Sequence, residues 1–170
     1  MEKRREQASV RIRLKGAAAV LLRGVSVPAY RRILLAIELN ERSLAIAQRA
    51  RALALELGAE LELLHVVEYV PVEPMGETLM PAVQIEEELL TGARKQLAAL
   101  AADAGIAPER CHVEAGNVKS EILRSARERG VDLIIVSSRE RHGPSIFLNL
   151  TEDTVLHAAP CDVLAMRVGR

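Results

Sequence analysis

The side chains of this 170-residue chain that are equipped for chemistry fall in a few short places. Glu38 ends the apolar run Ile33 to Ile37, and Ser137 ends the run Leu133 to Val136. Ser138, Arg139, Glu140, Arg141 and His142 follow directly. A serine nucleophile is normally raised on a Gly-x-Ser-x-Gly elbow, and no such elbow surrounds Ser137 or Ser138. His65, His112, His142 and His157 are scattered, without His-x-x-x-His or carboxylate–histidine spacing, so no metal site is expected. Cys111 and Cys161 belong to no Cys-x-x-Cys pair, lie in apolar runs, and read as buried small hydrophobes in a reducing compartment. Arg139, Arg141 and His142 form a basic cluster that either meets an anionic ligand or makes a solvated loop face. Glu140 either joins that chemistry or pairs with its arginine neighbours, a surface contact of little energy. Glu38 can complement the positive end of a following helix. No catalytic residue is assigned, and enzyme activity is not expected.

The elements that must position these groups alternate along the chain. Residues 33–38 read as a strand buried on both faces. Asn40 reads as the N-cap of a helix with Ile46, Ala50, Leu53 and Leu57 on one stripe, ended by Gly58. A second strand covers 61–67, and a loop with Pro71, Pro74, Gly76 and Pro81 leads to a long helix over about 82–104. Strand 111–115, a helix opening at Gly116-Asn117 and closed by Gly130, and strand 132–137 come next. A polar loop, a short helix near 150–158 and a last strand over 162–168 complete the chain. This β-α alternation predicts a three-layer α/β/α domain with a parallel sheet and right-handed crossovers. Ligands of such sheets bind at the carboxyl ends of the strands where the winding reverses, here between the first strand and the fourth. Residues 38–40 and 137–150 are therefore the expected site.

Composition narrows the function. Aromatic residues are Tyr30, Tyr69 and Phe147 alone, with no Trp, so the base-stacking platform of a nucleic-acid binder is missing. Residues 1–29 hold seven Lys or Arg against two Glu, a charge of +5, which leaves −5 on 30–170 because the total is zero. A mildly acidic main domain argues against coating DNA. No stretch reaches the roughly 18 apolar residues of a membrane span, and Arg23 interrupts the short run Ala17 to Leu22 that would otherwise suggest a signal peptide. A cytoplasmic protein with no nucleic-acid or membrane partner is expected.

Five pieces carry a specific resemblance: Arg-Arg-Ile-Leu-Leu-Ala-Ile-Glu at 31–38, Gly-Ala-Glu-Leu-Glu-Leu-Leu-His-Val at 58–66, Gly-Asn-Val-Lys-Ser-Glu-Ile-Leu at 116–123, Gly-Val-Asp-Leu-Ile-Ile-Val at 130–136, and Val-Leu-His-Ala-Ala-Pro-Cys-Asp-Val-Leu-Ala-Met-Arg-Val at 155–168. In this order and spacing, residues 30–168 resemble the universal stress protein family, and the ending around His157 and 161–168 is most similar to its A branch. The resemblance implies a doubly wound fold of the adenine nucleotide alpha hydrolase-like and flavodoxin-like kind, with strand order 3-2-1-4-5. It divides the chain into an extension, 1–29, and a universal stress protein domain, 30–170. For the extension three readings stand. It is disordered, or an added edge strand in which Val10, Ile12 and Leu14 alternate with basic residues, or a mis-assigned start, since Val25 and Val27 lie just before the family's usual beginning.

Nucleotide-binding members of that family carry Gly-x-x-Gly, about nine further residues, and Gly-Ser or Gly-Thr after the fourth strand. Glycine lets backbone N–H groups approach phosphate where a Cβ would intrude. Here those positions are Ser137, Glu140 and Asn149-Leu150, or Leu150-Thr151 at the longer spacing. A Glu140 carboxylate ~4 Å from a phosphate charge would cost a few kcal/mol at a surface-like dielectric. The resemblance places Glu38 near an adenosine moiety and makes Val66 an adenine wall, with Ala36 and Val136 lining the same region. The expectation is no cofactor, with ATP or AMP as the alternative: the purine side survives while the phosphate cradle does not. The family also implies a homodimer through the last strand, Val163, Leu164, Ala165, Met166, Arg167 and Val168, with a heterodimer with a paralogue as a further option. A non-catalytic regulatory or protective role in stress follows from the same resemblance.

Overall fold

The computed structural model describes residues 30–68, 79–137, 155 and 157–166, and side chains from residue 86 onward in the second helix. The elements are β1 (Arg32–Ala36), α1 (Ser43–Leu57), β2 (Glu60–Val67), α2 (Leu79–Ala104), a 3-10 turn (Pro108–Arg110), β3 (Cys111–Ala115), α3 (Val118–Glu128), β4 (Leu133–Ser137) and β5 (Asp162–Met166). The strands form one parallel sheet in the order β3-β2-β1-β4-β5, as expected. The winding reverses between β1 and β4. The basic extension, the loop after β4 and most of the expected helix over 150–158 lie outside the described residues, although 155, 157 and 158 are helical.

Side chains of a strand alternate between the faces of its sheet, and here both sets are apolar. Ile33, Leu35, Leu63 and Ile135 pack under α1 and α2 with Ile46, Ala47, Ala50, Leu97 and Ala101. Leu34, Leu64, Ile134 and Val136 pack with Ile122 and Ala126 of α3 and with Val155. Ile33, Leu34, Leu35, Leu63, Ile134 and Ile135 are 0% exposed. Each such side chain contributes roughly 1.5–3 kcal/mol relative to an exposed one. This two-sided demand explains the near-continuous apolar runs of β1 and β4.

Some boundaries differ from the sequence reading. β1 ends at Ala36, not at residue 38, because β2 and β1 part beyond the Ile37 N–H bond to Leu64 O, 2.9 Å. Asn40 is not the N-cap. Arg42 holds that position without a side-chain cap bond, and Asn40 Oδ1 accepts the Arg42 N–H at 2.9 Å from one turn outside the helix. α2 begins at Leu79, three residues before the expected start. Asn117 does cap α3, its side chain accepting the Ser120 N–H at 3.2 Å. Gly58 ends α1 as read, at φ 67, a conformation that disfavours a Cβ. Cys111 and Cys161 are half-buried rather than fully buried, since both lie at the amino ends of the two outermost strands.

Opposite the expected site, the Asp132 carboxylate binds β1 to β4. It accepts the Arg31 N–H at 2.8 Å and the Arg32 N–H at 3.1 Å. Tyr30 donates its hydroxyl to Asp162 at 2.8 Å, tying the beginning of the domain to β5.

Candidate functional site

The site is built from the carboxyl ends of β1, β2 and β4. Parallel pairing sets Ala36 opposite both Leu64 and Val136. Ala36 and Val66 pack on the buried cluster that contains Val136, on the α3 side of the sheet. Three of the residues named for an adenine wall therefore share one apolar face. Ser137 follows Val136, so alternation points it to the opposite face, where it pairs in register with Met166 and is half-buried.

Glu38 lies two residues past β1 with an exposed side chain. Its backbone is held: the Asn40 N–H donates to Glu38 O at 2.9 Å, and the buried Ser43 hydroxyl donates to the same carbonyl. Ser43 Oγ also accepts the Asn40 N–H at 2.8 Å. At the side chain, Asn40 Nδ2 lies 3.4 Å from Glu38 Oε2. This turn places Glu38 five residues ahead of the first residue of α1.

His65, near the carboxyl end of β2, is half-buried. Its Nδ1 donates to Ile37 O at 2.9 Å, replacing a ladder bond where β1 and β2 part. Burial pushes the Cys111 and Cys161 thiols up, so both favour the protonated, weakly nucleophilic form. Among the described residues no group of three His, Cys, Asp or Glu side chains could hold a metal ion. Nor does any described helix have the length and apolarity to cross a membrane. Of the remaining sequence-derived positions, Glu140, Asn149, Leu150 and Thr151 lie outside the described residues, as do Arg167 and Val168 of the expected interface. Val163, Leu164, Ala165 and Met166 form the outer strand β5, with Leu164 37% exposed.

Sequence reading found no carboxylate–histidine cluster, but the fold makes one. His112 of β3 and Glu62 of β2 approach to 3.0 Å, with Arg129 and Glu114 alongside. The partners are 50 residues apart in sequence, so spacing gives no warning. The available signal was only that Glu62, His112 and Glu114 interrupt otherwise apolar strands.

The fold is a doubly wound α/β domain whose winding reverses between β1 and β4, the adenine nucleotide alpha hydrolase-like arrangement. The universal stress protein family model matches residues 29–167. Universal stress protein A homolog 2 of Coxiella burnetii is 36% identical over 140 residues, covering 82% of this chain and 96% of that protein. Universal stress protein UspA from Lactobacillus plantarum has the same fold, with a TM-score of 0.62 at 21% identity over 83% of this chain and 100% of that one. A universal stress protein solved in complex with cAMP aligns at TM-score 0.52 and 20% identity, covering 81% of this chain and 97% of its own. An Arabidopsis thaliana family member with AMP bound aligns at 0.53 and 15%, covering 82% and 92%. The chain belongs to the universal stress protein family.

Proposed function

We propose that this chain is a non-catalytic, stress-linked regulatory or protective protein of the cytoplasm that acts as a homodimer and does not bind ATP tightly. The observation that carries this reading is the exchange of glycine for side chains where the family's phosphate loop begins, Ser137 at the end of β4 and Glu140 after it. A loop lined with side chains holds its amides back from phosphate, and an added carboxylate repels the most highly charged ligands most.

A second reading, an AMP-class ligand, has its own support. Ala36 and Val66 are half-buried on an apolar face backed by Val136, a surface of the kind that suits a purine, and the two liganded relatives carry cAMP and AMP, each with a single phosphate. A monophosphate brings less charge to Glu140 than a triphosphate does. Slow ATP hydrolysis would belong to this reading and requires the triphosphate to be bound first.

The homodimer reading rests on the edges of the sheet. β3 and β5 are the outer strands, and β5 offers Leu164 and Ala165 on a short, largely uncharged edge that favours pairing with another strand. A paralogue with a similar last strand is the alternative partner.

Ultraviolet absorbance of the purified protein, followed by calorimetric titration with ATP, AMP and adenosine, tests the ligand reading. Without Trp and with two Tyr the protein absorbs weakly at 280 nm, so retained adenine dominates the spectrum. Expected are no 260 nm peak and no saturable ATP binding, with AMP or adenosine binding at least as well as ATP. ATP binding tighter than AMP would overturn the proposal.

A further inference from the structure

β3 is an outer strand, yet the face it turns toward α3 carries His112 and Glu114 where the neighbouring strands carry Leu and Ile. Glu62 of β2 lies beside them, and Arg129 reaches in from the carboxyl end of α3. Arg129 Nη1 is 3.1 Å from His112 Nε2 and 3.5 Å from Glu62 Oε2. Arg129 Nη2 is 3.9 Å from Glu114 Oε1. His112 Nε2 is itself 3.0 Å from Glu62 Oε2. The side chains of Glu62, His112 and Arg129 are 16%, 19% and 29% exposed, so water screens this group less than a surface pair. The other charges that face it are Arg124 of α3, which bonds Glu114 at 3.1 Å and also holds Glu121 and Glu128. From the 3-10 turn, Arg110 pairs with Glu60 of β2 at 3.1 Å.

One ring nitrogen cannot accept from Arg129 and donate to Glu62 at the same time. Arginine only donates and an ionised carboxylate only accepts, so the proton on Nε2 selects the partner. We propose that His112 is an acid-sensitive latch between β3 and the carboxyl end of α3. With its Nε2 lone pair free, the ring accepts an N–H of Arg129 and ties the end of α3 to the outer strand. Once protonated, Nε2 only donates; it turns to Glu62, and the imidazolium repels the guanidinium. The release reaches the central sheet, because Arg129 O accepts from Arg32 Nη1 of β1 at 2.7 Å.

Burial and then the Arg129 charge hold the His112 imidazole below its ordinary value, against the pull of Glu62 and Glu114. A folded-state value below the unfolded one means the latch contributes fully above the unfolded pKa, about 6.5, and is lost as pH falls through the folded value. The inference is independent of nucleotide binding, so its failure and that of the ligand reading are separable.

The test follows the full chain from about pH 7.5 to about pH 5.5, the range in which histidine changes charge. Imidazole nitrogen spectra report the tautomer and midpoint of His112, and amide hydrogen exchange gives protection factors. Expected is a His112 midpoint below that of a free histidine, which Arg129→Gln moves upward. Protection of Glu114, whose N–H faces β2, and of Arg127 and Glu128 falls several-fold on acidification while that of Leu35 holds. His112→Gln, which takes up no proton in this range, loses that acid-dependent fall. An unmoved midpoint in Arg129→Gln, or an undiminished fall in His112→Gln, overturns the latch. If Arg129→Gln does not fold, the His112→Gln comparison decides alone.

Discussion

Replacing Ser43 by Ala removes the hydroxyl on which the turn carrying Glu38 depends, and the structure sets the size of the effect. Ser43 is 2% exposed, so water does not restore what is lost. Its Oγ donates to Glu38 O and accepts the Asn40 N–H at 2.8 Å. The Asn40 N–H also reaches Glu38 O at 2.9 Å, so the variant strands neither backbone group completely. One hydroxyl bond and part of a shared amide bond disappear, and the missing oxygen leaves a void smaller than a methyl group. At about 0.5–1.5 kcal/mol for each net hydrogen bond, the loss is about 1–2 kcal/mol. Equilibrium urea unfolding at fixed protein concentration measures it. With a slope of roughly 1–3 kcal/mol/M, the midpoint falls by about 0.3–2 M while the slope stays constant. Asn40→Ala, which removes the acceptor for the Arg42 N–H, costs about 0.5–1 kcal/mol. Because the two residues share the turn, the double variant loses less than the sum by at least about 0.5 kcal/mol. A Ser43→Ala loss under about 0.3 kcal/mol, or strict additivity, refutes a turn held by this hydroxyl.

Gly116 and Gly92 make an opposed pair. At Gly116, φ is +143 and a Cβ would lie 3.3 Å from Glu121 Cγ, so Gly116→Ala destabilises by about 1–3 kcal/mol. Gly92 is helical with open space around its Cβ position, and Gly92→Ala stabilises by about 0.5–1 kcal/mol; thermal melts of both variants check the opposite signs. Ala165→Pro removes a backbone donor from the outer strand β5, and light scattering after size exclusion should show monomer or the protein should become insoluble. A dimer indifferent to that change counts against β5 as the interface.

The family and the fold were legible because their determinants are local. Buried parallel strands require the unbroken apolar runs at 33–37 and 133–136, and Asn117 announces a helix start by its own chemistry. That Ala36 and Val136 share a face was legible too, since alternation along each strand sets Ala36 on the side of Leu34 and Val136 on the side of Ile134. The cap of α1 was misread because Asn40 reaches Arg42 from outside the helix, and Ser43 shares the work through contacts that sequence does not record.

The linear order of residues thus determined the layers, the point where the winding reverses, and the side chains that stand where nucleotide-binding relatives carry glycine. What the tertiary structure alone decided is which charges meet. Glu62, His112 and Arg129 lie on β2, on β3 and after α3, and strand register and the packing of α3 on the sheet bring them within hydrogen-bonding reach. Apolar periodicity is written residue by residue, whereas a polar contact across 50 or 67 residues exists only once the chain has closed around its core.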